Sequence, residues 1–415
     1  MADSPVTTTQ LGGFFKEVYG DDVPDLIPRE LQIQDKIKFV PRQKEMGNKY
    51  NQPVRLTDSS GFSFAGADAG AFTLNDAKAL TTKNAQVSGS QIVLRDQIDY
   101  ETAARAASGR NAFKDATKYV LEGMQKSHRK LLEIELLYGQ DELGVVSSYS
   151  NPTITLSTAE FAPGIWSGLE GAVVEVFDST LATNRGSATI SSVDLAARTV
   201  TLSADISGTT GTDRVFLKDQ VEAGGTFASC AGIHRILTNS GSLFGISAAT
   251  YSLWASNSYS AGSAALTQAK VGAAIAQAMG KGLMGDIVLF VNPKTWNNLM
   301  GDQAALVRHM GDKGKKVSKP EFSNGAEGVT LYHGNGSIEI KSHIMVKEGY
   351  AYGLSIEDWI RPGSVDFSMK SPGMGGDIFL HLPTKAGFEV RSYSNQSIFC
   401  VAPGKQFIIT GIVNS

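Results

Sequence analysis

Between Ser108 and Gly139 one apolar stripe runs without a break. Phe113, Ala116, Val120, Met124, Leu131, Ile134 and Leu137 recur three or four residues apart, the period of a helix with one buried face. Lys114, Lys118, Lys126, Arg129 and Lys130 take the other side. Ser108 is a residue type that caps helix N-termini, and Gly139 one that ends helices. At 1.5 Å of rise per residue such a helix is on the order of 45 Å long, more than a small domain needs. The rest of the fold must therefore be arranged along it. His128, set among charged residues, is expected on its solvent side.

The 415 residues, 42% hydrophobic and 19% charged, can bury a large core and suit two or three domains, or one with insertions. A net charge of -3, from 38 Lys and Arg against 41 Asp and Glu, argues against a chain whose main task is gripping nucleic acid. Cys230 and Cys400 stand too far apart to suggest a disulfide framework or zinc site. They are expected as small buried hydrophobes. The N-terminal stretch lacks a charged start followed by an apolar core, and runs such as Ile287 to Val291 fall far short of a bilayer. Neither a cleaved signal nor a membrane partner is expected.

Residues 1 to 28 hold an apolar patch at Leu11, Phe14, Phe15 and Val18 that suits a short amphipathic helix. From Arg29 to Lys49 the chain is locally basic, with Arg29, Lys36, Lys38, Arg42, Lys44 and Lys49 against Glu30, Asp35 and Glu45. This reads as a solvated extended strand, with contact to an acidic partner or polyanion as the alternative. VRLT at 54 to 57 and QIVLRDQI at 91 to 98 flank a Gly-rich stretch carrying Phe62, Phe64 and Phe72, which reads as one long hairpin. A hairpin that long is not stable alone in water, so its own domain or another copy of the chain must cover the tip.

Residues 145 to 222 change texture. TITLSTAEF, GAVVEVFD, SATISSVDLAARTVTLS and DRVFLKDQV are strands at regular spacing with almost no helical period, the pattern of a small inserted barrel. Asp194 there is a turn former. Residues 241 to 262, with Phe244, Tyr251, Trp254 and Tyr259, read as a loop-rich surface segment. Thr267 caps a second helix with its stripe at Val271, Ala274, Ile275, Ala278 and Met279. IVLFVNPKTWNNLM then gives a buried strand that stops at Asn292-Pro293 and passes into a short helix ending near Met300. Residues 301 to 325 read as a Lys-rich loop, and strands fill the remainder.

The chemistry of enzymes is not written here. No phosphate loop, no Gly-x-Ser-x-Gly elbow and no His-Glu-x-x-His signature occurs. GKGLMGD at 280 to 286 precedes a strand instead of opening a helix after one, so its geometry does not suit phosphate. The six histidines are scattered; His333 and His343 could meet across a hairpin, yet two ligands make no site. Glu357-Asp358 beside Trp359 and Arg361 is explained by a local salt bridge. No catalytic residue, cofactor or metal is expected.

In order, the chain reads as short arm, long hairpin, spine helix, an α/β core around IVLFVNPKTWNNLM, and a β-rich end. It resembles the major capsid protein of tailed phages, the Hong Kong 97 type fold, over about residues 1 to 144 and 223 to 415. The resemblance implies an α+β capsid fold: N-terminal arm 1 to 50, extended hairpin loop 51 to 95, spine helix and part of a peripheral domain 96 to 144. An inserted small all-β barrel at 145 to 222 is additional. The axial domain follows at 223 to 345, and the chain returns to the peripheral domain at 346 to 415.

The resemblance also implies a function: self-assembly into hexamers and pentamers of an icosahedral phage head that encloses double-stranded DNA. The virion is then the location, with assembly in the host cytoplasm. Implied partners are other copies of the chain, a separate scaffolding protein and a portal protein, with weak non-specific contact to packaged DNA and room for a decoration protein on the inserted domain. Residues expected at subunit contacts are Phe62, Phe64, Phe72, Arg42, Lys44, Trp254, Tyr259, Trp359 and Arg361. Some family members crosslink Lys to Asn between subunits. Lys78, Lys83 and Asn395 have the residue types, but the sequence places no acid among apolar neighbours to drive that step. The rival readings are a bacterial nanocompartment shell of the same fold, a carbohydrate-binding β-rich adhesion protein, and a hydrolase.

Overall fold

A computed structural model describes residues 25–41, 49–99, 101, 116–222, 224–307, 329–333, 336–370, 378–382 and 386–414. The expected helix start at Ser108, the patch at 11 to 18, the Lys-rich loop, and Arg42 and Lys44 lie outside these residues.

The spine helix runs Ala116–Tyr138 and buries Leu132, Ile134, Leu136, Leu137 and Tyr138 at its C-terminal end. Gly139 closes it, with its N–H on the Glu135 carbonyl at 2.7 Å. A Cβ at Gly139 would stand 2.1 Å from the Cys230 carbonyl oxygen, so the helix exit must be glycine. Part of the charged face is covered as well. His128, expected in solvent, is fully buried, its Nδ1 2.9 Å from Ser392 Oγ and its ring edge-on to Phe367. Lys130 donates to the Ser167 carbonyl. Lys118, Lys126 and Arg129 stay exposed, whereas His128 and Lys130, nearer the buried end, pair with the polar groups of elements laid across the helix.

One sheet lies across the helix at His128. In order its strands are Phe39–Pro41, Trp359–Ser368, Gly387–Gln396 and Phe379–His381, with Ser90–Asp99 also paired to Gly387–Gln396 from Asp99↔Gly387 to Ser90↔Gln396. This corrects the expected hairpin. The 91 to 98 run belongs to the sheet, and Tyr50–Thr57 pairs instead with Thr81–Val87. TTKNAQV is too polar to announce itself as a strand, while the alternating Ser90–Asp99 segment finds its partner some 300 residues on. The basic segment after Arg29 is likewise not simply an extended strand. Gln32–Lys36 is a short helix with Ile33 and Ile37 fully buried, and only Phe39–Pro41 is extended.

The second sheet runs in the order Asn257–Ala264, Phe407–Ile412, Ala351–Leu354, Ile287–Val291, Gly336–Ser342, Val329–His333. Ile287–Val291 is buried along its whole length, parallel to Gly336–Ser342 and antiparallel to Ala351–Leu354. Thr267 caps the helix Gln268–Met279 by accepting the Lys270 N–H, as its sequence indicates. The helix after Asn292 continues from Pro293 to Val307, past the expected stop at Met300. The register sets His333 opposite Gly336, at the far end of that hairpin from His343.

The inserted strands close into a six-stranded barrel, in the order Arg214–Leu217, Gly144–Ser150, Thr153–Leu156, Thr199–Leu202, Asn184–Asp194, Val173–Phe177. Asp194 forms the turn, its Oδ1 accepting the N–H groups of Ala196 and Ala197 at 2.9 and 3.0 Å. The barrel interior is continuous with the spine-helix core: Val146, Ile154 and Val200 share one cluster with Leu137, Tyr138 and Ile233. Both cysteines are buried and free. No helix among the described residues is long and apolar enough to cross a membrane.

Candidate functional site

The hairpin Tyr50–Thr57 and Thr81–Val87 carries a long loop at residues 58 to 80. Its neck is tied by Thr81 N–H to Thr57 Oγ1 at 2.9 Å and Ser60 N–H to the Lys78 carbonyl at 3.1 Å. Further out, Asn75 Nδ2 donates to the Phe62 carbonyl and Ser63 Oγ accepts the Asn75 N–H, both at 2.7 Å. These bonds fix the loop's shape without covering its apolar side chains. Phe62 is 68% exposed, Phe64 91%, Phe72 50% and Leu74 73%. So many large apolar groups open to water on one loop is more than scattered surface residues account for.

The root of the hairpin is the opposite. Leu56, Ala85 and Val87 pack with Ile246, Trp254 and Phe399. The Phe399 ring meets Phe244, Tyr50 and Trp254 at centroid distances of 5.3, 6.0 and 6.4 Å. Trp254, expected as an exposed contact, is only 3% exposed and donates its indole N–H to the Leu243 carbonyl at 3.2 Å. The segment 241 to 262 is therefore partly core. Gly and Ser neighbours make it read as loop, but Asn257–Ala264 joins the second sheet beside Phe407–Ile412, and Tyr259 is half-buried against that sheet's core.

Trp359 and Arg361 are also interior. Trp359 Nε1 donates to Gln406 Oε1 at 3.1 Å, the oxygen that also accepts the Ser355 N–H. Arg361 reaches the Ile37 carbonyl at 2.8 Å, the Gln34 carbonyl at 3.2 Å, Gln396 Oε1 at 2.8 Å and Asp366 Oδ1 at 3.0 Å. It stitches the N-terminal segment to the first sheet. The local salt bridge expected for Glu357-Asp358 is not the pairing observed, because Asp358 takes Lys405 at 3.2 Å. Of the described residues expected at contacts, the structure gathers Phe62, Phe64 and Phe72 on one exposed loop and spreads the others through the fold.

A second polar centre, not legible in sequence, seats the barrel. Lys347 is fully buried and donates to the Glu142 carbonyl at 2.9 Å and Glu160 Oε2 at 2.8 Å, above the Tyr138 ring at 4.7 Å. Burial pulls its pKa down, but Glu160, then Asp141 and Glu142, outweigh that and hold it above the ordinary lysine value. His234, 2.9 Å from Tyr352 Oη, is kept neutral by burial and by Lys347, its pKa lowered to about 4. These groups come from segments some 200 residues apart in the chain and have no common motif. Their arrangement clamps the barrel and offers no nucleophile beside a free base. Among the described residues no group of three or more His, Cys, Asp or Glu could hold a metal ion.

No family model matches the chain, and no curated protein matches it in sequence. In fold it is similar to the capsid asymmetric unit of cyanophage A-1(L), with a TM-score of 0.60 and 12% identity over 98% of this chain and 99% of that one. It is also similar to a solved chain of Mycobacterium phage Bobi, with a TM-score of 0.50 and 8% identity over 99% and 100%. At such identity the likeness is one of fold. The chain has a phage capsid fold, as the resemblance implies.

Proposed function

We propose that this chain is the structural major capsid protein of a tailed phage, assembling into hexamers and pentamers of an icosahedral head that encloses double-stranded DNA. One observation carries the reading: the end-to-end fold likeness to the cyanophage A-1(L) capsid. The exposed loop supports it, since Phe62, Phe64, Phe72 and Leu74 present apolar area that the monomer does not cover. In this reading residues 1 to 50 are the arm, 51 to 89 the extended loop, 90 to 144 and most of 346 to 415 the peripheral domain, and 223 to 345 the axial domain, together with the strands Ala351–Leu354 and Phe407–Ile412 that share its sheet. The barrel at 145 to 222 is an insertion suited to a decoration protein.

Many modest contacts sum through multivalency to a stable shell while each remains weak enough to correct errors. The net charge of -3 suits a container whose wall must not grip packaged phosphate, because each neutralised phosphate adds salt-dependent affinity. A separate scaffolding protein and a portal complete the assembly, in the host cytoplasm.

Negative-stain electron microscopy with light scattering tests the reading. Closed particles or capsomer rings are expected, and the variant lacking residues 58 to 75 is expected as a folded monomer that forms no closed shell. Normal shells from that deletion would sink the loop's role. A nanocompartment would enclose a protein cargo and no DNA, which the ultraviolet absorbance ratio of purified particles distinguishes.

A further inference from the structure

The N-terminal half of the spine helix lines an open cavity of about 410 Å³, shared with the strand Ser90–Asp99 and the segment that begins at Asp25. Ile27, Leu94, Tyr119, Val120 and Met124 supply its apolar lining. Tyr119 is 50% exposed and Ile27 37%, and Leu26, next to Ile27 in the chain, is 87% exposed. An apolar concavity open to water is the form of surface that takes an apolar partner.

Charge and tethering select the occupant. Arg95 and Asp96 on the strand wall are of opposite sign, and Glu122 on the helix is answered by Lys118 at 3.9 Å. At the entry the balance is broken, because Asp25 alone serves both Lys126, at 3.0 Å, and Arg29. One positive charge is left over there. Residues 1 to 24 lead directly into that entry and carry Asp3, Glu17, Asp21 and Asp22 against Lys16. They also hold the apolar patch Leu11, Phe14, Phe15 and Val18. Seven residues separate Val18 from Asp25, a reach of up to about 25 Å, while the helix from Tyr119 to Ser127 spans only about 12 Å. So short a tether holds the patch at an effective concentration on the order of 1 mM. The other segment that borders the cavity, residues 100 to 115, suits it less: Arg105, Arg110 and Lys114 outnumber Glu101 and Asp115 and would add to the charge excess.

We propose that this cavity is the docking site of the chain's own N-terminal segment, with Phe14, Phe15 and Val18 seated on Leu94, Tyr119 and Val120, and with Asp21 and Asp22 meeting Lys126 and Arg29 at the entry. The contact forms within one chain and does not depend on the shell reading.

The test is hydroxyl-radical footprinting of the full-length unassembled protein, read by mass spectrometry at Tyr119, with the fully open Phe64 as reference. The double variant Phe14→Asp, Phe15→Asp raises labelling of Tyr119 by at least about threefold and leaves Phe64 unchanged; its melting temperature, measured alongside, shows that the fold is kept. Unchanged labelling of Tyr119 in that variant overturns the proposal, and a rise with Phe113→Asp in its place assigns the cavity to residues 100 to 115. A second arm introduces Phe15→Cys with Tyr119→Cys under mild oxidation, both native cysteines being buried. A disulfide closed within single chains is the expected product, and covalent dimers would overturn the proposal in favour of a second copy.

Discussion

The Glu133 carboxylate accepts the backbone N–H of Ile33 at 2.6 Å, a bond across 100 residues of chain. Its other oxygen takes the Gln34 N–H at 3.1 Å, and Oε1 also lies 3.1 Å from His343 Nε2. The helix Gln32–Lys36 has no side-chain cap of its own at Leu31, so the spine helix supplies one from a buried acid. Glu133→Ala leaves two amides and an imidazole without their acceptor. A loss of about 3 kcal/mol is expected in urea denaturation of the unassembled protein; a loss below about 1 kcal/mol would remove the cap from the account of stability.

Trp254 and Phe64 separate stability from assembly. Truncating the buried Trp254 to alanine is expected to cost about 3 to 5 kcal/mol, because the indole fills the hairpin root against Phe399. Phe64→Ala, on a side chain that touches water, should shift stability by no more than about 0.5 kcal/mol yet reduce particle yield. Denaturation curves and light scattering on both variants check the pair, and the opposite ranking in stability would reverse the assignment of root and tip.

Two histidines make the fold acid-sensitive. His128 and His234 are held neutral chiefly by burial, their pKa values lowered from 6.5 to about 4. The unfolded chain takes up these protons near pH 6.5 while the folded one resists until about pH 4, so the unfolded state binds more protons in that window. Stability therefore falls as pH drops from 6.5 toward 4, by on the order of 2 to 3 kcal/mol per histidine. Urea midpoints measured across that range should show the slope, and His128→Asn should make it shallower. A slope unchanged by that substitution would argue that His128 already titrates normally when folded.

Lys347 clamps the barrel to the rest of the fold. Lys347→Met strands the Glu160 carboxylate, which also accepts from Tyr350, and should cost about 3 to 5 kcal/mol. Adding Glu160→Gln removes the stranded charge, so the double variant should recover at least about half of that loss. Additive losses in a double-mutant cycle would mean that the two groups are not coupled.

The local pattern was enough for several elements. The three-and-four spacing through Leu131, Ile134 and Leu137 marks the spine helix, Thr267 its neighbour's cap, the run Ile287 to Val291 a fully buried strand, and the evenly spaced strands around Asp194 a barrel. Each is decided by residues close in sequence, through backbone geometry and the period at which apolar groups recur. On the candidate contact surface, the exposed aromatics Phe62, Phe64 and Phe72 were legible for the same reason: a Gly-rich stretch offers them nothing nearby to pack on.

Only the tertiary structure could decide what lies across each face. Periodicity says that Leu137 must be buried but not that a sheet strand will cover His128, because a polar residue is compatible with water or with a partner such as Ser392. The strand Ser90–Asp99 chose Gly387–Gln396 over the hairpin, and Trp254, Trp359 and Arg361 found hydrogen-bond partners between 5 and 327 positions away. Glu135, Glu133 and Lys347 became buried charges by the same route. Such pairings depend on loop closure and on which polar groups meet when the layers stack, and neither is encoded in the spacing of residues along the chain.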